Sequence, residues 1–137
     1  MHKSVLIAAL LVTGCTSQQA PAEDRWHQLA AESDRLTATF RGKFWEHEML
    51  PIHNEFWPKI FAACAPQAKT AGITNFKAVA VINKDGVVTE YLPSSNSPAL
   101  KCFSEQMVGR KYPTPPESPF YEVYTINLET SNQAGPN

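Results

Sequence analysis

The sequence predicts an α+β fold: N-terminal helices, then a small antiparallel three-stranded sheet in strand-strand-helix-strand order, covered on one face by helices. Three observations predict it. Apolar residues recur at helical spacing from Asp24 to about Leu50. Two Val- and Ala-rich runs flank the turn sequence Asn83-Lys84-Asp85-Gly86. A short helical pattern after Ser97-Pro98 separates that hairpin from a last apolar run, Phe120 to Leu128.

Each element has a local reason. In the first helix Trp26, Leu29, Ser33, Leu36 and Phe40 recur at three and four positions and make one mostly apolar stripe. Gly42 weakens this helix without ending it, and Pro51 is expected to end or kink it. A second helix is expected over Ile52 to Ala63, with Pro58 inside it as a conflicting signal. Phe76 to Ile82 and Val87 to Leu92 read as strands, and Asp85-Gly86 supplies the positive φ of a tight hairpin. Ser97 and Pro98 mark a helix start, Leu100, Phe103 and Met107 form its apolar face, and Gly109 suits its C-terminal end. Tyr112 to Pro119 contains four prolines and reads as irregular. Phe120, Tyr124, Ile126 and Leu128 share one face of the last strand, with Glu122 breaking the pattern.

The chain of 137 residues is one domain's worth, and 43% hydrophobic residues are enough for a core. A net charge of -1 with 18% charged residues leaves no basic stripe, so no nucleic-acid partner is expected.

The chain begins with Met1-His2-Lys3, then the apolar run Val5 to Val12. That run is far shorter than the roughly 20 residues of a membrane span and has the size of a signal-peptide core. Leu11-Val12-Thr13-Gly14-Cys15 follows. It resembles the lipobox of bacterial lipoproteins, in which small residues admit the peptidase and the cysteine thiol takes the lipid. The resemblance implies a signal peptide over 1–14, lipidation at Cys15 with palmitate-type acyl chains, and attachment to the lipid bilayer. In such lipoproteins Asp after the cysteine favours inner-membrane retention; Thr16 stands here, which points to the outer membrane, facing the periplasm. Residues 15–23 then form the lipidated cysteine and a short flexible tether, in which the seven residues Thr16 to Ala22 reach at most about 25 Å. The single domain is expected over 24–129, and 130–137 as a disordered tail.

With Cys15 assigned to lipid, Cys64 and Cys102 remain as an even pair in an oxidising compartment, and a disulfide is expected. A redox pair or metal site is the alternative, against which stands the absence of Cys-x-x-Cys spacing.

From Cys64 to Leu128 the chain resembles the C-terminal domain of TonB-type energy transducers, in their cysteine-bearing relatives. The resemblance rests on Ala78 to Val88, on Ser94-Ser95 with Ala99-Leu100-Lys101-Cys102-Phe103, and on Tyr112-Pro113-Thr114-Pro115-Pro116 before the last strand. It implies the fold and one binding mode, the pairing of an edge strand with a partner peptide. It does not carry energy transduction, because a lipobox and short tether stand where those proteins have a membrane helix and long spacer.

Little in the sequence points to chemistry. Glu46-His47-Glu48, His53 and Glu55 are the densest titratable cluster. His47 and His53 lie six positions apart, about 240° of net helical rotation, so no metal site is expected from them. Ser94, Ser95, Ser97 and Ser104 lack a nucleophile-elbow motif, and no phosphate loop is present. No cofactor and no catalytic residue are expected. The adjacent pairs Phe44-Trp45 and Phe56-Trp57 cannot both face one core, since helix neighbours point about 100° apart. Core packing is one reading of these aromatics, and a Trp lining an exposed groove is the other. The candidate partner-binding residues are Trp45 and Trp57, with Thr89, Tyr121, Val123 and Thr125 on the two candidate edge strands. The expected function is a non-catalytic envelope protein-binding module, an adaptor or assembly factor. The alternatives are an immunity or inhibitor lipoprotein and, third, an enzyme or metal carrier using the His47/His53 region.

Overall fold

A computed structural model describes Gly14, residues 22–129 and residues 134–136. The elements are α1 (Ala22–Thr37), α2 (Phe40–Thr70), β1 (Asn75–Ile82), β2 (Val88–Pro93), a 3-10 turn (Pro98–Leu100), α3 (Lys101–Met107), β3 (Phe120–Asn127) and β4 (Ala134–Pro136). The α+β class and the order of the first six expected elements hold. Cys15 and most of the tether lie outside the described residues.

The N-terminal helical stretch is divided differently from expectation. It breaks at Ala38-Thr39, where Thr39 leaves helical geometry and caps α2: its hydroxyl accepts from the Gly42 N–H at 3.0 Å. Gly42 is needed there because a Cβ would collide with the Leu36 carbonyl at the end of α1. The helix then runs unbroken for 31 residues, through Pro51, where a break or kink was expected, and on through Pro58 and Pro66, past the end expected at Ala63. All three prolines are exposed, so the carbonyls they leave without an N–H partner face water. The opposite face carries Trp45, Met49, His53 and Trp57 at four-residue spacing, then Ile60, Cys64 and Ala68, all buried. Packing along this stripe overrides the local propensity.

The sheet is antiparallel in the order β2-β1-β3-β4. Its three main strands are the expected ones. Residues 134–136, expected within a loose tail, pair with Tyr124, Thr125 and Ile126 as a short fourth strand. The hairpin turn works through Asn83, whose carbonyl accepts from Gly86 N–H while its side chain accepts from the amides of Asp85 and Val87, all at 3.0 Å. Gly86 has φ +82°, as the Asp-Gly signal requires.

Helices cover both faces, not one. Phe76, Ala78, Ala80 and Ile82 of β1 and Phe120, Tyr124 and Ile126 of β3 face α2 and α3 in the main core. Val79 and Val123 point the other way and are also buried. On that face α1 lies against β3 and β1, and Arg25 forms a two-pronged ion pair with Glu90 at 2.9 Å. The disulfide Cys64–Cys102 forms and joins α2 to α3, a helix of only seven residues.

Candidate interaction site

The first turn of α2 carries Phe40, Arg41, Lys43 and Phe44 on its surface. Phe40 is 84% exposed and Phe44 55%, the two largest exposed apolar side chains among the described residues. Four positions apart, they share one face of the helix. No acidic residue lies in this first turn, although the helix dipole favours one there. Arg41 and Lys43 sit there instead, so helix stability does not account for this surface.

Trp45 fixes the other wall. Its ring lies 4.7 Å from that of Phe120 and 5.9 Å edge-on to Tyr112. Its Nε1–H donates to the Pro113 carbonyl at 2.9 Å and holds the proline-rich loop against α2. Phe40, Arg41, Phe44, Trp45 and Glu48 on one side and Thr114, Pro115 and Pro116 on the other enclose an open groove of about 390 Å³.

Trp45 borders the groove, as an indole was expected to, but neither candidate tryptophan offers much surface. Trp45 is 2% exposed and Trp57 1%. Each adjacent pair does divide between core and surface, but the phenylalanine takes the outer position: Phe44 is exposed and Phe56 half-buried. Trp57 stacks between His53 and Phe103.

The edge-strand candidates fare unevenly. Val88 N–H donates to the Arg110 carbonyl and Gly109 N–H to the Val88 carbonyl, which closes the start of the β2 edge. Pro93 has no N–H to offer at its end. Thr89, between them, is exposed and sits at a register shift. On the other side Thr125 is paired with Gly135 in β4. Tyr121 is half-buried and Val123 buried on the α1 face, so neither presents a side chain to a partner at a free edge. The open backbone is therefore shorter than the sequence implies.

His53 is fully buried. Tyr124 Oη donates to Tyr112 Oη at 3.0 Å, which leaves the Tyr112 proton for His53 Nδ1 at 2.8 Å. Burial pushes the Tyr112 and Tyr124 hydroxyls well up, so they remain protonated donors. His53 is thus a core residue bridging α2, the proline-rich loop and β3. No group of three or more His, Cys, Asp or Glu able to hold a metal is found among the described residues.

Glu122, the break in the apolar pattern of β3, is 1% exposed. Its carboxyl shares a small cavity with that of Glu46 on α2, and each acts on the other's protonation. Burial first, and then the Glu46 charge, push Glu122 well above the ordinary carboxylate range. Burial also raises Glu46, opposed by Glu122 and by Lys43. The pattern break was legible in the sequence; its partner 76 positions away was not. Nor did the sequence single out Phe40 and Phe44 as the exposed pair, since the helix break at Thr39 decides which face of α2 turns outward.

No family model, curated protein or solved structure matches this chain. Among the described residues no helix is long and apolar enough to cross a membrane.

Proposed function

We propose that this chain is a lipid-anchored lipoprotein of the cell envelope, attached through Cys15 on the periplasmic side of the outer membrane, whose domain acts as a non-catalytic protein-binding module. The lipobox sequence Leu11 to Cys15 supports the anchor. The strand-strand-helix-strand order with its disulfide supports the likeness to cysteine-bearing TonB-related domains.

One observation carries the binding reading. Phe40 and Phe44 stand exposed beside Pro115 and Pro116 while Trp45 and Trp57 are packed inside. Two exposed aromatics one turn apart cost solubility and give the domain nothing, whereas aromatic anchors dominate binding surfaces. Arg41 and Glu48 give the groove one charge of each sign, so the matching segment is apolar with charged groups beside it. This moves the surface from the sheet edges to the start of α2.

The test is affinity capture from solubilised envelopes with the lipidated chain and with a Phe40→Ser, Phe44→Ser variant. The proposal expects one dominant partner that binds the native chain and not the variant, with binding weakened by salt. A captured toxin or hydrolase would make the module an inhibitor. Equal capture by both chains would refute the groove.

A further inference from the structure

Glu46 and Glu122 meet where three elements converge. From α1, Ser33, Asp34 and Thr37 line a small cavity with them; from β3 comes Val123 beside Glu122. Two carboxyls lining one small cavity can hydrogen-bond each other only with a proton between them, because two carboxylates have no donor. The charged and titratable groups facing the pair are few. Asp34 lines the cavity from α1, Lys43 acts on Glu46 from α2, and the Tyr112 and Tyr124 hydroxyls lie within electrostatic reach of Glu122. The neighbouring Arg35 does not serve the pair, since Glu32 and Glu117 occupy it. Lys43 is exposed, so no buried cation balances a second negative charge. Glu122 Oε2 also has no hydrogen-bond partner, so its charged form would lie unsolvated beside Glu46.

Glu46 is one position past Trp45 and two past Phe44, on the turns that carry the groove. We propose that the Glu46–Glu122 pair is a proton-held clamp: one shared proton fixes the start of α2 to β3, and its loss as the medium turns alkaline releases the Phe40–Phe44 face. The balance is simple. The pair gives its proton to solvent base, no bond other than O–H breaks, and the two carboxylates separate toward water. The clamp itself stands on two carboxyls lining one small cavity, one of them buried with an unpartnered oxygen; only its consequence for binding rests on the function proposed above.

The experiment is amide hydrogen exchange of the full-length chain from pH 5.5 to 8.5, corrected for intrinsic rates, beside Glu122→Gln and Glu46→Gln. In each variant an amide N–H₂ donates permanently where the shared proton stood. The native chain should lose protection over residues 40–48 by up to about tenfold per pH unit, the slope of one proton released on opening. Glu122→Gln should keep its protection throughout, and Glu46→Gln should lose it less steeply than the native chain, because burial alone still raises Glu122. Circular dichroism checks that each variant is folded, and if one is not, the other decides. A flat profile in the native chain, or the same loss in a folded variant, would overturn the clamp. Loss of protection without any effect of Phe40→Ser, Phe44→Ser on partner capture would uphold the clamp and refute the groove.

Discussion

Replacing Cys64 and Cys102 together by alanine removes the one covalent tie between α2 and α3. The bond closes a loop of sequence separation 38. In the chain-entropy description such a loop withholds about 13 cal/mol/K from the denatured chain, or about 4 kcal/mol at 25 °C. Alanine is the better replacement because Cys64 is fully buried and serine would add a buried hydroxyl. A domain of about 110 residues has an unfolding entropy near 0.23 kcal/mol/K, so the midpoint should fall by about 17 °C. Urea unfolding with matched far- and near-ultraviolet dichroism measures the change, with a larger m-value in the variant because its denatured chain is more expanded. The native spectrum should persist, since Phe103 and Met107 still bury α3 against the core. A loss below about 1 kcal/mol would refute the entropic reasoning and leave packing alone to hold α3.

Four further outcomes are expected. Gly42→Ala should destabilise the domain by about 1–3 kcal/mol despite alanine's better helix propensity, because the new Cβ meets the Leu36 backbone; chemical denaturation checks the sign. Tyr112→Phe should cost about 1–3 kcal/mol by stranding the Tyr124 hydroxyl and His53 Nδ1 in the core, measured the same way. Phe40→Ser with Phe44→Ser should leave thermal stability within about 0.5 kcal/mol, since neither ring is buried, while partner binding is lost. Global stability should also depend on pH through Glu122. Its folded pKa is raised, so the favourable contribution is complete below the unfolded value, about 4.3, and is lost as pH rises toward the folded value. Glu122→Gln should therefore be the more stable protein at pH 8 and have the flatter profile in denaturation across pH.

How much of this was legible in the sequence depends on the range of the interaction. The hairpin was readable because Asn83 and Gly86 act within their own turn. The disulfide was readable because only two cysteines remained once Cys15 was set aside. The long helix was not, because three prolines are local breakers and their harmlessness depends on which face meets water. The break at Thr39 was missed for the converse reason. The apolar period runs through it, and only the fit of Leu36 against Gly42 places the corner there. At the candidate site, the rule that adjacent aromatics must divide between core and surface was correct. Which member goes out is set by Trp45 reaching Pro113 and Trp57 reaching Phe103, contacts 68 and 46 positions distant. The shortened sheet edges likewise follow from residues far along the chain, Gly109 to Arg110 beside β2 and Ala134 to Pro136 beside β3.

Binding of an envelope protein in the Phe40–Phe44 groove is the proposal on which the function rests. Its most direct test is a photo-crosslinking residue at position 44 in cells, compared with one at exposed Lys84 in the hairpin turn. Binding in the groove should give one crosslinked envelope partner from position 44, none from position 84, and loss of the adduct when Phe40 is changed to Ser. The same adducts from both positions, or none from position 44, would contradict it.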